Sequence, residues 1–229
     1  MATILNIETS TAVCSAAVSC EGEIEFHLED YNGNSHANNL GVFIKQSLEF
    51  VADRQMQLDA VAVSCGPGSY TGLRIGVSMA KGICFGHGIP LIAIPTLEVL
   101  CVIPLLYEDI DESALLCPMI DARRMEVYTA LYDRSLHQLR ETSAVVINDN
   151  FMSDELDKHP IYFFGNGAGK CRDIINHPNA RFIDGITPLA KSMPLLAEKA
   201  YRKQDFKDVA YFEPFYLKDF IASTPKKLL

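Results

Sequence analysis

The sequence contains no tryptophan, and its first 105 residues hold only four basic side chains, Lys45, Arg54, Arg74 and Lys81, against ten acidic ones. The whole chain carries a formal charge of −9. A protein that binds nucleic acid unaided needs a basic face to displace counterions, and the first half supplies none. The second half holds sixteen basic against nineteen acidic residues, which leaves room for a local basic patch. Cys-x-x-C is absent. The seven cysteines are scattered and sit mostly among apolar residues, as at Cys65, Cys84, Cys101 and Cys117, the pattern of reduced, buried thiols in a cytosolic protein. No stretch approaches the ~18 apolar residues of a membrane helix; the best, Leu97 to Tyr107, is broken by Glu98 and Pro104. The opening Met1-Ala2-Thr3-Ile4 lacks the basic n-region and apolar core of a signal peptide, so the expectation is a cytoplasmic protein that does not engage membranes. The six histidines (27, 36, 87, 137, 159, 177) form no pair at helical ligand spacing, and neither H-E-x-x-H nor G-x-S-x-G occurs, which argues against metalloprotease and α/β-hydrolase chemistry.

What is present is the composition of an ordinary soluble globular protein, 48% hydrophobic and 21% charged over 229 residues. A chain of this length buries roughly 70–75% of its unfolded surface and needs no metal or disulfide staple. Ile4 to Ile7 reads as a short apolar strand ending at Glu8, Thr9-Ser10-Thr11 as a polar turn, and Val13 to Val18 as a second strand. Ile24, Phe26 and Leu28 alternate with polar residues, the period of a half-exposed antiparallel strand. Ser35 is placed to cap a helix in which Leu40, Phe43, Ile44, Leu48 and Val51 share one stripe. Val61 to Val63 reads as a strand, followed by a glycine-rich loop, a helix from about Thr71 to Phe85, and a strand from Ile89 to Ile94. The second half begins alike: strand Leu115 to Ile120, Asp121, a turn, and strand Val127 to Tyr132. One strand–acid–turn–strand unit thus occurs twice at an offset of about half the chain, which suggests two similar α/β lobes, 1–108 and 109–229, with a cleft between them. Further strands are expected near 161–165 and 181–183, and helices near 168–176 and 194–203, the last capped by Ser192 with Pro194 in its first turn. Six aromatics between Phe206 and Phe220 read as core packing, so the last segment is free to pack back on the first lobe.

Two loops resemble phosphate cradles without matching one. Gly66-Pro67-Gly68-Ser69-Tyr70-Thr71-Gly72 has Leu73 and Arg74 where a Walker A loop needs Lys and Ser/Thr, and one residue too many for G-x-G-x-x-G. Gly165-Asn166-Gly167-Ala168-Gly169-Lys170 has Phe164 in place of the first glycine and Cys171 in place of Ser/Thr. Both read more readily as rigid strand-to-helix turns. In the helix after the first loop, Gly72, Gly76, Ala80 and Cys84 recur every four residues. Glycine inside a helix costs roughly 1 kcal/mol relative to alanine, so a second backbone should approach closely, either from within the chain or from another subunit. Residues 60–97 contain only two charged side chains, Arg74 and Lys81, and the first helix offers Val42 beside its apolar stripe. The expectation is therefore a shared interface on the two helices, carried by Leu40, Phe43, Ile44, Leu48, Gly72, Arg74, Gly76 and Ala80.

The segments GPGSYTGLRIG (66–76), ILNIETSTAVCSAAV (4–18), PTLEVL (95–100), IDARRMEVY (120–128), FGNGAG (164–169) and EPFYLKD (213–219) resemble, in that order, the TsaB (YeaZ) family, and the likeness spans nearly the whole chain. The resemblance implies the two-lobed acetate and sugar kinase/Hsp/actin (ribonuclease H-like) fold. It implies a place in the machinery that makes threonylcarbamoyladenosine beside the anticodon of tRNAs, as the non-catalytic partner of TsaD with TsaE as a third member. Such a chain would homodimerise when alone and meet tRNA only through the complex. TsaD carries a metal-binding His-x-x-x-His where this sequence has Thr96 and Leu100, so no metal or other cofactor is expected in the isolated chain, and ATP and metal are expected on TsaD. Glu8, Thr9, Ser10, Thr11, Asp121, Gly165 and Gly167 would line a vestigial nucleotide cleft, with Arg123, Arg124 and Met125 crowding its second turn. The competing reading is an ATP-dependent phosphotransferase or ATPase working in that cleft. The old glycoprotease label of this family's relatives finds no nucleophile, base or ligand pair here.

Overall fold

The computed structural model describes residues 2–33 and 36–218; Ser35, and Asp219 and Phe220 of the ending, lie outside them. The first lobe is built on β1 (Thr3–Glu8), β2 (Cys14–Cys20), β3 (Glu23–Asp30), β4 (Ala60–Ser64) and β5 (Leu91–Ile94) in the order β3-β2-β1-β4-β5. β1, β2 and β3 pair antiparallel, whereas β4 runs parallel to β1 and β5 parallel to β4. The parallel pairs need crossovers, supplied by α1 (His36–Asp53) between β3 and β4 and α2 (Tyr70–His87) between β4 and β5.

The second lobe repeats this plan. β6 (Leu115–Asp121), β7 (Glu126–Tyr132), β8 (Gln138–Val146), β9 (Ile161–Phe164) and β10 (Ala180–Ile183) lie in the order β8-β7-β6-β9-β10, antiparallel through β6–β7–β8 and parallel through β6–β9–β10. Glu8 and Asp121 end the corresponding central strands. The architecture is the duplicated α/β fold that the repeated unit and the resemblance imply.

Alternation along the strands distributes the core. Leu5, Ile7, Val61 and Val63 face α1 and α2, packing with Leu40, Ile44, Val77 and Ala80. Ile4, Ala60 and Ala62 face the other way, onto α3 (Thr96–Tyr107) and α5 (Pro194–Arg202) through Val99, Val102, Met193 and Leu196. α3 joins the lobes, because its other side sets Leu97, Leu100 and Cys101 against Leu116, Ile120, Tyr132 and Phe164 of the second sheet. Buried on both sides, α3 has no polar face and hence no amphipathic signature.

Two local expectations change, and two elements were not expected. The segment 168–176 forms only a 3₁₀ turn, Gly169–Cys171, followed by further turns. Ser192 does not cap α5; it ends a 3₁₀ turn (Ala190–Ser192), and Met193 stands at the cap position without a side-chain hydrogen bond. The polar strand β8 and the short helix α4 (Ser153–Leu156) carry no pattern that marked them in the sequence. All seven cysteines are free thiols, and no helix among the described residues is long and apolar enough to cross a membrane.

Leu100 is fully buried between the lobes. Leu100→Ala should cost about 2–5 kcal/mol of stability, read as a lower urea midpoint with an unchanged slope if both lobes unfold together.

Candidate functional site

β1 delivers Glu8 to the edge of the first lobe, where the chain turns through Thr9, Ser10 and Thr11. The glycine-rich loop closes over this turn. The Ser69 N–H donates to the Ser10 carbonyl at 2.7 Å, and the Thr9 hydroxyl donates to the Gly72 carbonyl at 2.8 Å. A Cβ on Gly68 would overlap the Ser10 carbonyl, one on Gly72 the Thr9 carbonyl, and one on Gly76 the Thr9 hydroxyl. Ser69 caps α2 by accepting from the Gly72 N–H. Thr96 holds the start of the loop: its hydroxyl accepts from the Gly66 N–H at 3.1 Å, and its own N–H donates to the Gly66 carbonyl at 3.0 Å. The position at which the resemblance places a metal-ligating histidine in TsaD thus carries a loop tie in this chain.

The small stripe is therefore explained within the chain, and the expected partner surface needs correction. Gly72, Gly76 and Ala80 are buried against the Thr9 turn and the sheet, and Leu40 and Ile44 are buried in the first-lobe core. Phe43 and Leu48 are half-buried on that core, and Arg74 is exposed. Periodicity correctly groups the small and apolar residues on shared faces, but those faces point inward, and Arg74 lies on the opposite, outer side of α2.

Glu8 is completely buried. One carboxyl oxygen accepts from the Ser10 N–H at 2.5 Å, and the other has no hydrogen-bond partner. Burial pushes its pKa from 4.5 to about 7, tempered by the Ser64 and Ser10 side chains and the Ser10 N–H; the two hydroxyls lie beside the carboxyl without reaching good hydrogen-bonding geometry.

Asp121 meets a different environment. It is exposed, and its carboxylate pairs with the Lys170 ammonium, which also donates to the Glu126 carbonyl at 2.7 Å. The Asn166 side-chain oxygen accepts from the Asp121 N–H. Gly165 and Gly167 pack against the backbone of Met119, Ile120 and Asp121 so closely that neither has room for a Cβ. The two acids are thus differently engaged: Glu8 is held inside the first lobe, and Asp121 is compensated by an ammonium. Arg123 and Arg124, on the turn after Asp121, are exposed.

Comparison with known proteins identifies the family. Residues 30–226 match the TsaD family, described as tRNA N6-adenosine threonylcarbamoyltransferase. The tRNA threonylcarbamoyladenosine biosynthesis protein TsaB of Bacillus subtilis is 30% identical over 76% of this chain and 75% of its own length. The TsaB of Haemophilus influenzae is 28% identical over 99% of this chain and 97% of its own. The chain belongs to the TsaB branch of this family. Its fold matches the YeaZ structure from Pseudomonas aeruginosa with a TM-score of 0.81, over 95% of this chain and 100% of that one, at 23% identity.

In this TsaB-family chain, two further features stand out: the return of the last segment over the first lobe, for which the sequence left room, and an exposed helix face that went unread in the sequence. The segment after α5 runs back over the first lobe: the Lys207 N–H donates to the Leu91 carbonyl, Lys81 donates to the carbonyls of Ala210 and Phe212, and the Phe215 N–H donates to the Cys65 carbonyl at 2.7 Å. Tyr216 packs on Tyr70, and Lys218 pairs with Glu126 of the second lobe. A groove of ≈ 330 Å³ lies between this strap and α2, lined by Tyr70, Arg74, Lys81, Glu213 and Tyr216 among others. The second feature is the outer face of α2. Phe85 is 84% exposed there, and any Cβ built on its neighbours Gly82 and Gly86 would meet open space. Val42 is exposed on the adjacent helix α1. The available signal was Phe85 itself, a large apolar residue opposite the glycine stripe.

Two variants test the site. Gly76→Arg should prevent folding rather than merely dissociate an assembly, because Thr9 fills the space a side chain needs; circular dichroism and thermal melting decide it. Glu8→Gln addresses pH. A carboxyl whose native pKa lies above its unfolded value contributes stability that is complete below about pH 4.5 and is lost as pH rises through about 7. The full change is about 3 kcal/mol. Denaturation at pH 5 and pH 8 should show a smaller difference for Glu8→Gln than for the unaltered chain, with the variant the more stable at pH 8.

Proposed function

We propose that this chain is the non-catalytic partner of a TsaD-type subunit in the synthesis of threonylcarbamoyladenosine on tRNA, and that it works in the cytoplasm. The observation that carries the reading is the closure of the first-lobe turn. A nucleotide-using cleft needs an accessible acid and free backbone N–H groups at its phosphate turn. Here the Ser10 N–H is spent on Glu8, the glycine loop lies on the Thr9 and Ser10 carbonyls, and Lys170 takes the place a cation would need beside Asp121. Glu8 and Asp121 do not fit as joint ligands of a metal–nucleotide, so we assign ATP and metal to the TsaD-type partner. The names of the curated relatives supply the pathway.

The partner surface we assign is the outer face of α1 and α2, around Val42, Arg74, Ser78, Gly82, Phe85 and Gly86. It displays a large exposed aromatic beside two glycines that let another helix approach. The same face serves a homodimer when the chain is alone, and a two-fold axis would make that contact isologous. TsaE joins the heterodimer, and tRNA engages the assembly, with the partner providing most of the recognition.

Two measurements test this. Phe85→Asp should keep the thermal melt of the unaltered chain, because the side chain is almost wholly exposed, while weakening both the homodimer and the complex with a TsaD subunit by more than about tenfold, as the loss of an aromatic anchor does; light scattering and co-purification read the outcome. The purified chain should release no phosphate from ATP, and tRNA modification should require the TsaD subunit. Turnover that survives repurification and falls with Asp121→Ala would favour the phosphotransferase reading.

A further inference from the structure

The turn that links β6 to β7 is held from several directions. The Arg123 N–H donates to the Asp121 carboxylate, the Ala122 N–H to the Glu126 carbonyl and the Glu126 N–H to the Arg123 carbonyl, each at 3.1 Å. Lys170, from the loop after β9, pairs with Asp121, and Lys218, from the C-terminal strap, pairs with Glu126. Both acids of the turn are therefore compensated by lysines from other segments. The two arginines at its tip are exposed and pair with no acid among the described residues. The turn thus presents two uncompensated positive charges on a fixed frame.

The backbone at the tip is informative too. Arg123 and Arg124 have φ of 73° and 49°, consecutive left-handed conformations that Asn-Gly adopts at lower cost than any pair with long side chains. The sequence bears that cost, and neither guanidinium gains an acidic partner among the described residues, which leaves both available to a ligand. A guanidinium presents a planar fork of donors that matches the oxygens of a phosphate, and the Arg124 and Met125 N–H groups have no acceptor among the described residues.

We infer that the Arg123–Arg124 turn is a contact for the phosphodiester backbone of RNA. The inference rests on the reading of this chain as a subunit in tRNA modification and adds a direct contact from this subunit. The contact carries no base specificity: it positions the RNA, and it is salt-sensitive. It is compatible with weak binding by the chain alone, since two phosphate contacts supply little affinity without a partner.

The test uses Arg123→Asn/Arg124→Gly, which removes both guanidiniums and leaves the turn a sequence that favours its geometry. An Arg134→Gln/Lys203→Gln variant removes the same charge from two exposed positions elsewhere. Each is titrated with an unmodified tRNA transcript over a range of salt, on the chain alone and with a TsaD subunit. The Asn-Gly variant should bind roughly tenfold more weakly at about 50 mM salt. Its slope of log affinity against log salt should be shallower by about 1.4–1.8, the counterions of two phosphates. The control should change neither by a comparable amount, and the Asn-Gly variant should melt no lower than the unaltered chain. Equal behaviour of the two variants would overturn the inference, as would undetectable tRNA binding by the unaltered chain under both conditions. Each variant is also titrated with polyglutamate; loss of polyglutamate binding in the Asn-Gly variant with tRNA affinity retained would also overturn the inference and mark the turn as a site for an acidic protein. Failure of the subunit reading would be separate: it would appear as absent association with the TsaD subunit in light scattering, while the titration on the chain alone still reads the RNA contact.

Discussion

The carbonyl groups of Thr9 and Ser10 lie against Gly68 and Gly72 with no room for a Cβ between them. That contact fixes the start of α2 on the turn that follows β1, and several properties follow from it. With the loop in place, Glu8 is sealed from water, and its charge becomes costly. With α2 committed inward along Gly72, Gly76, Ala80 and Cys84, helical geometry turns Arg74, Ser78 and Phe85 to the opposite side. One close approach thus both shuts the turn and determines which face of the helix is left for a partner. Thr96 and Phe215 bond to either end of the Cys65–Gly66 step, so the loop is also tied to the helix between the lobes and to the C-terminal strap.

The two lobes share a topology and treat their matching acids in opposite ways. Burial shifts Glu8 toward its neutral form, raising its pKa from 4.5 to about 7; Asp121 keeps company with an ammonium at the surface. Either arrangement works against an accessible, unpaired carboxylate. Because the routes are independent, no single substitution reopens both sides. Lys170 lost would free Asp121 but leave Glu8 enclosed, and a smaller residue at Thr9 would loosen the first turn but leave Asp121 paired.

The repeated half was legible in the sequence because a strand, an acid, a turn and a second strand are local features with strong apolar patterning. The glycine stripe of α2 was legible as a stripe but not as a contact, since a period of four says which residues share a face and nothing of what covers it. Thr9, which covers it, lies more than sixty residues away and shows no sign of this in its own surroundings. α3 lacked an amphipathic period because both lobes bury it, and Pro104 argued against a helix that its neighbours nevertheless hold. The helix expected near 168–176 gave way because Gly165 and Gly167 serve close packing on β6 and leave too short a run before the turns at Ile174 and Ile175. Lys170 looked like the lysine of an incomplete phosphate loop; its actual partner, Asp121, is the very acid that such a loop would have left for a metal.

A chain of net charge −9 is an unpromising neighbour for RNA, yet total charge is the wrong quantity at this range. Fields from exposed charges fade within a Debye length, about 8 Å at physiological ionic strength. Much of the acidic surplus of the first lobe stands on the β2–β3 hairpin at Glu21, Glu23 and Glu25, which are exposed, on the far edge strand of that sheet from β5. What an approaching phosphate senses at the β6–β7 turn is the local balance, in which Lys170 and Lys218 have already answered the two nearest acids. The lysine from the strap links this balance to the first lobe, because Phe215 and Tyr216, a few residues earlier, are anchored on Cys65 and Tyr70. The strength of the positive field at the turn therefore depends on the strap remaining seated across both lobes, and a chain with Lys218 withdrawn would leave Glu126 to offset one of the two arginines.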